Sequence, residues 1–186
     1  MAIKPQDIVV LCKLIAYQKA KRNWSQYGVA GELCLSPSQI NLALKRLVTA
    51  GLITPYHSPQ KPQPIIQACI EFLIHGLKYM FPAKLGETAR GIRTGYAAPS
   101  FKGEISLGQE AIPVWPYGQG EDRGVALKPL YSNVPEAVIK YPDPLFYDIL
   151  TLIDAIRSGR AREKQIAIQK LSGILESKMN EKADNI

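Results

Sequence analysis

Few residues of this sequence have the types and spacing that catalysis or metal binding needs. Its two histidines are His57, in a proline-rich segment, and His75, near a predicted helix end. Glu71 and His75 stand four residues apart and would share one helix face, but a metal site needs further ligands, and an ion pair is the alternative. Glu121 and Asp122 fall in a predicted turn, where carboxylates are usually solvated. The sequence therefore indicates no catalytic residue, no metal, no cofactor and no enzyme.

The cysteines and the hydrophobic runs bear on the cellular compartment. Cys12, Cys34 and Cys69 lie far apart and form no Cys-x-x-Cys pair, so we expect buried, reduced thiols rather than disulfides or a zinc site. Uncharged hydrophobic runs are much shorter than the roughly 20 residues of a membrane-spanning helix. The first residues contain no signal-peptide core. We expect a cytoplasmic protein with no membrane partner.

Positive charge is concentrated in the first third of the chain. The 186 residues carry a formal net charge of +7, with 46% hydrophobic and 21% charged residues, a soluble globular composition. Residues 1–55 hold seven Lys or Arg against two acids, a net of +5, whereas residues 111–186 hold ten against ten and are neutral. This asymmetry suits either a polyanionic partner or a solvated basic face.

Helical periodicity predicts three helices in that basic third. The first spans residues 5–22, with Pro5 suited to its first turn. Ser25 is placed to cap the second, whose inward side is expected to carry Tyr27, Val29, Ala30 and Leu33. The third opens with a capping Ser36, Pro37 at the first helical position and Gln39 at the third. Its apolar residues are Ile40, Ala43, Leu44, Leu47 and Val48, and Gly51 is expected to end it.

Beyond residue 54 the sequence pattern predicts a mixture of loops, strands and helices. Four prolines between residues 55 and 64 predict a loop or linker. A fourth helix is predicted over residues 65–75, ended by Gly76, and residues 78–131 are predicted to form strands and loops, with a hairpin turning through residues 118–124. Helices are predicted again over residues 144–158 and 161–178. Their apolar stripes suit packing against a second copy or within the chain.

The first helices carry a family resemblance. Residues 25–47 (SQYGVAGELCLSPSQINLALKRL) and the exit Ala50-Gly51-Leu52-Ile53 resemble the winged helix-turn-helix transcription factors of the MarR type, over about residues 5–54. Ala30, Ile40 and Leu47 fall at the small and apolar positions that pack the two helices. The resemblance implies a bacterial DNA-binding regulator whose third helix enters the major groove.

The same resemblance implies which residues contact DNA. They are Ser36, Pro37, Ser38, Gln39, Asn41, Leu42, Lys45 and Arg46 on the outward face of the third helix, with Gln26 and Lys61 nearby. Gln and Asn can bind adenine edges through two hydrogen bonds, and Lys45 and Arg46 suit phosphates or a guanine edge. Ser36 would contact a phosphate or simply cap the helix. The family's wing arginine is missing from residues 55–64, so this segment is a short wing or a plain linker.

The remaining residues leave two alternatives open. Lys84, Arg90, Arg93 and Lys102 lie among glycines and could bind phosphate, or could be solvated loop charges. The aromatic residues there could line an effector pocket or form a small core.

We therefore expect an α+β fold: an N-terminal winged helix-turn-helix, a small strand-rich region and a C-terminal helical hairpin. Residues 1–75 would form the DNA-binding domain. Residues 76–186, strand-rich over 76–131 and helical over 135–178, would form an accessory domain for dimerisation or for a protein or small effector. The expected function is a sequence-specific transcriptional regulator of double-stranded DNA, a repressor acting as a homodimer. The alternative is an antitoxin-like or other protein-interaction module on a winged-helix scaffold.

Overall fold

The fold combines α-helices with a small sheet. The computed structural model describes residues 2–108 and 110–177. Its helices are α1 (Pro5–Lys19), α2 (Gln26–Glu32), α3 (Pro37–Thr49), α4 (Ile66–Ile70), α5 (Leu77–Met80), α6 (Val134–Lys140), α7 (Pro144–Ser158) and α8 (Ala161–Glu176). Its strands are β1 (Leu85–Arg93), β2 (Pro113–Pro116) and β3 (Asp122–Leu127). The α+β class is thus confirmed.

Two of the predicted helix starts are confirmed by capping hydrogen bonds, and a third by the position of its first residue. The Ser25 hydroxyl accepts the Gly28 amide at 3.0 Å. The Ser36 hydroxyl accepts the Gln39 amide at 3.2 Å, and the Gln39 side chain accepts the Ser36 amide at 2.9 Å, which completes a capping box. α1 begins at Pro5 as predicted. Gly51 follows α3 with φ of +71°, the left-handed conformation that a helix end of this kind uses.

α1 is the central helix of the fold. Every residue from Asp7 to Tyr17 is buried, as expected of a helix that is apolar on nearly all sides. α3 packs on it from one direction and α7 from another. On α2, Val29 and Ala30 face this core, but Tyr27 is 79% exposed, so its predicted inward position is wrong.

Residues 53–64 fold back on themselves as a short hairpin. Ile53 pairs with Pro64, and the Thr54 amide donates to the Gln63 carbonyl at 2.8 Å. The Ile65 amide then donates to the Leu52 carbonyl at 2.9 Å. Because these bonds return the chain to the end of α3, the interpretation as a plain linker is wrong. We call this segment the 53–64 hairpin.

The predicted helix end at Gly76 is also wrong. α4 runs directly into a π-helical turn over Glu71–Gly76 and then into α5. Gly76 keeps helical angles, φ −93° and ψ −39°. The predicted division between two domains after residue 75 falls inside this continuous helical segment. The buried residues on both sides of it belong to one hydrophobic cluster.

The three strands close into a small barrel. β1 is antiparallel to both other strands, with Ile92 opposite Trp115 and Ala89 opposite Gly124. β2 and β3 are parallel to each other. The predicted hairpin between them is therefore wrong: residues 117–121 turn the chain so that both strands run against β1, and Gly91 is opposite a residue of each.

A buried carboxylate joins the barrel to α7. Asp154 accepts hydrogen bonds from the Trp115 indole nitrogen at 2.6 Å and the Thr94 hydroxyl at 2.8 Å. Arg157 completes the set with an ion pair of 2.7 Å. Since a buried charge needs partners of this kind, the Trp115 and Thr94 donors fix the barrel side to α7, and Arg157 of the same helix compensates the charge.

The last two helices pack within the chain. α7 begins at Pro144 and ends at Ser158, as predicted, and its residues from Ile149 to Ile156 are buried against α1 and α8. α8 buries Ala167, Leu171 and Leu175. Of the two alternatives for these stripes, the structure therefore favours intramolecular packing. The predicted end of α8 at residue 178 lies outside the described residues.

Candidate nucleic-acid interface

The outward face of α3 carries most of the residues expected to contact a ligand. Ser38, Leu42 and Lys45 are exposed on it, with Asn41 half-buried beside them. Ser36 and Pro37 are exposed at the start of the helix. The opposite face, with Ile40, Ala43 and Leu47, is buried against α1 and α2. Periodicity thus separates a core face from a polar, open one.

Arg46 is not part of that open face. Arg46 is 4% exposed, and its guanidinium donates two hydrogen bonds of 2.6 Å to the fully buried carboxylate of Asp7. The hydrogen bonds to Asp7 raise the pKa of the guanidinium above its usual value. The predicted contact of Arg46 with phosphate or guanine is therefore wrong, because the side chain extends to α1 instead of to solvent.

Gln39 is also engaged within the protein. Its side-chain oxygen completes the capping box with Ser36, and its amide nitrogen donates to the Tyr131 hydroxyl at 3.4 Å. The residue is half-buried. Of the two roles expected for Ser36, helix capping is confirmed. Contact with an adenine edge would require Gln39 to exchange both of these hydrogen bonds.

A groove of about 700 Å³ lies between the start of α2, the outward face of α3 and the 53–64 hairpin. It brings together Gln26, Asn41, Lys45 and Lys61, four of the residues expected at the site, although they come from three segments. We call it the α3 groove. Leu44 and Val48 contribute apolar surface to it.

Sequence reasoning missed two aromatic residues of the α3 groove. Tyr56, at the hairpin, is 63% exposed. Trp24 is nearly buried between α1 and α2, and Lys61 lies 5.7 Å from the centre of its ring while donating a hydrogen bond to its carbonyl. This contact anchors the hairpin beside α2 and holds the charge of Lys61 at the groove. The sequence signal that could have identified both residues is an aromatic side chain in an otherwise polar segment that connects two helices.

Part of the N-terminal positive charge is used inside the molecule. The Lys13 ammonium, 1% exposed, lies 2.7 Å from Glu32 and 2.8 Å from Asp143. Arg22 contacts the same two carboxylates at 3.3 and 3.5 Å. With Arg46 paired to Asp7, three cations of residues 1–55 are compensated internally. Asp7 and Glu32 are already subtracted in the net charge of +5 for this segment, so only Asp143, from outside it, lowers the basic excess available to a partner.

These contacts shift the pKa values of the two carboxyl groups. Burial alone would raise the pKa of Glu32, but hydrogen bonds from Lys13 and Tyr17 and the charges of Lys13 and Arg22 outweigh it, so the pKa is lowered. The pKa of Asp143 is lowered in the same way against its burial, mainly by Lys13 and by the Phe146 amide. Both groups are therefore held in the charged form.

The acidic, histidine and cysteine side chains are too dispersed to form a metal centre in the part of the chain that the structure describes. Residues 2–108 and 110–177 contain no group of three or more His, Cys, Asp or Glu placed to hold a metal. The three cysteines are free; Cys12 and Cys69 are buried and Cys34 is half-buried. Burial raises the pKa of Cys69 to about 12, which disfavours a reactive thiolate.

Two further findings concern the membrane and known proteins. Over the described residues, no helix combines the length and the apolar character needed to cross a membrane. Comparison with protein-family models, with curated proteins and with solved structures finds no match.

Proposed function

We propose that this protein binds double-stranded DNA through α3 and the α3 groove and acts as a sequence-specific transcriptional regulator. The observation that carries the proposal is the convergence of Gln26, Asn41, Lys45 and Lys61 on one groove beside the polar face of α3. Side-chain amides read base edges and ammonium groups hold phosphates, and the α3 groove presents both kinds of group together.

The dimensions and chemistry of α3 suit the major groove. The helix has 13 residues, about 20 Å at 1.5 Å per residue, and an α-helix fits the roughly 12 Å width of that groove. Asn41 would bind an adenine edge through two hydrogen bonds. Leu42, 45% exposed, would contact a thymine methyl group, and Lys45 would bind a phosphate.

The first experiment is an electrophoretic shift assay with DNA from upstream of the protein's own gene. Random duplex serves as competitor, and binding is measured at two salt concentrations. We expect specific binding that falls with salt and is weakened at least tenfold in Asn41→Ala/Lys45→Ala. The matched control, Gln169→Ala, changes an exposed amide of α8 and should bind like the parent chain. Equal binding by the double variant and the parent would contradict the proposal.

As part of the same proposal, the protein represses transcription as a homodimer. Two copies of α3 about 34 Å apart would meet successive major grooves of one DNA face. Sedimentation velocity of the chain with and without its DNA, together with nuclease footprinting, tests this. Two protected half-sites one helical turn apart would support it, and a single half-site bound by a monomer would contradict it.

An apolar patch favours a second candidate, a protein-interaction module. Met80 is 50% exposed and Leu85 64%, and the exposed Lys84 and Lys128 line the same two clefts. Large apolar side chains with adjacent cations fit a partner segment that presents apolar and acidic residues. If this is the main function, Met80→Ser/Leu85→Ser abolishes the protein's activity in cells and Asn41→Ala/Lys45→Ala preserves it. The DNA-binding proposal predicts the reverse.

A further inference from the structure

We propose that the barrel carries a second DNA contact, in which Arg90 of β1 and Arg123 of β3 bind backbone phosphates. This inference rests on the proposed function, because the phosphates belong to the DNA that α3 binds. It adds a surface far from α3 in the sequence, formed by strands instead of helices.

The two arginines face each other directly across the ladder. Arg90 is the register partner of Arg123 in the antiparallel pairing of β1 with β3. Side chains in this relationship lie on the same side of the sheet, with Cβ atoms about 5 Å apart. Both residues are exposed, and neither guanidinium forms an ion pair with a carboxylate of the described residues. Like charges placed directly opposite each other destabilise a strand pair, so an anion between them would relieve this repulsion.

The other arginine of β1, Arg93, has an acidic partner on β3. Arg93 of β1 forms an ion pair of 2.7 Å with Asp122 of β3. Asp122, the acid next to Arg123 in the sequence, is thus engaged by Arg93. The next acids, Glu87 and Glu121, are exposed and form no ion pair with Arg90 or Arg123 within the described part of the chain. The unmatched charge is therefore confined to one cross-strand pair.

The backbone around the pair is held firmly. The Tyr117 amide donates to the Arg90 carbonyl at 3.0 Å. Gly120 packs so tightly on the adjacent Gly91 that a Cβ at Gly120 would lie 2.2 Å from the Gly91 carbonyl oxygen. A fixed backbone presents the two guanidinium groups at a constant spacing, and guanidinium groups bind phosphate oxygens through paired hydrogen bonds.

The surroundings suit an extended phosphate backbone. Thr88 is exposed two residues from Arg90, so its hydroxyl lies on the same side of β1 and can donate to a neighbouring phosphate. The two guanidinium groups are open to solvent, as contacts with a long polyanion require.

The test measures DNA affinity against salt for Arg90→Gln/Arg123→Gln, using fluorescence polarisation with a labelled random duplex. Each lost phosphate contact lowers the slope of log K against log salt by about 0.9, so we expect a decrease of about 1.8 and roughly tenfold weaker binding at low salt. The control Arg160→Gln/Arg162→Gln removes the same charge from exposed positions at the start of α8 and should keep the parent slope. An unchanged slope, or an equal decrease in the control, would overturn the inference.

A second readout needs no DNA. Arg123→Gln alone removes the like-charge repulsion, so its melting temperature should exceed that of the parent at low salt, with the difference disappearing at high salt. No difference at low salt would overturn the claimed repulsion.

The double variant Asn41→Ala/Lys45→Ala separates the two proposals. If only the α3 variants weaken binding, the barrel contact fails and the proposed function survives; if only the barrel variants do so, binding through α3 fails. A parent chain with no salt-dependent DNA binding would overturn both.

Discussion

Asp7 and Arg46 form a buried ion pair in which two oxygens of the carboxylate each accept a hydrogen bond of 2.6 Å from the guanidinium. The pair joins α1 to α3. Asp7 also accepts the backbone amide of Lys4 at 2.8 Å, so the same carboxylate caps α1. α3 is thus held against the central helix by a charged contact on its inner face, while the neighbouring Lys45 is exposed on the outer face.

Removing Arg46 should destabilise the fold. Arg46→Met leaves the Asp7 carboxylate buried without its cation, which costs about 3–5 kcal/mol of unfolding free energy. Lys45→Met, at the adjacent exposed position, should stay within about 0.5 kcal/mol of the parent. Urea unfolding followed by circular dichroism measures both. Equal stability of the two variants would show that the ion pair does not hold α3 in place.

Lys13 should make stability depend on pH. The pKa values of Glu32 and Asp143 are lowered in the folded protein, so their contribution to stability is present above their unfolded pKa values, about 4, and is lost as the pH falls through the folded values. Lys13→Met removes the main cation from both groups and should cost about 3 kcal/mol near pH 7. Unfolding free energies of the parent and this variant, measured from pH 7 to pH 3, test this.

The difference in unfolding free energy between the parent and Lys13→Met should itself depend on pH. It should be largest at neutral pH and shrink below about pH 4, as the carboxyl groups take up protons and no longer need the ammonium. Lys21→Met, an exposed cation at the end of α1, serves as the control and should follow the parent curve. A pH-independent difference would mean that the lost packing of Lys13, and not its charge, sets the cost.

Two glycine substitutions should act in opposite directions. A Cβ at Gly91 would lie 1.9 Å from the Trp115 carbonyl oxygen, so Gly91→Ala forces β1 and β2 apart and should cost about 2 kcal/mol or more. Gly173 lies within α8, and a methyl group added there would meet no atom within 4 Å other than its sequence neighbours and the nearby helix backbone, so Gly173→Ala should stabilise the protein by about 0.5–1 kcal/mol. Thermal unfolding compares them, and a harmless Gly91→Ala would contradict the close packing of the barrel.

The features predicted correctly from the sequence depend on neighbouring residues. Ser25, Ser36 and Pro144 mark helix starts because the groups that satisfy the first amides lie within three or four positions. The grouping of Asn41 with Lys45 on one face follows in the same way from helical periodicity.

The features that the sequence did not predict depend on distant partners. Arg46 is buried because Asp7 stands 39 residues earlier, and Lys13 because Asp143 stands 130 residues later. β2 and β3 are parallel to each other because both pair antiparallel with β1. The sequence pattern of β2 and β3 alone does not reveal this shared partner. Charge counted along the sequence therefore overstates the positive charge that a partner would meet.

The most direct test of the central claim is a polarisation titration of one specific duplex with the parent chain, Asn41→Ala and Gln169→Ala at a fixed salt concentration. We predict that Asn41→Ala loses about 1–3 kcal/mol of discrimination between the specific and a random duplex, while Gln169→Ala keeps all of it. Discrimination that is unchanged in Asn41→Ala, with an intact fold by circular dichroism, would contradict sequence reading by α3.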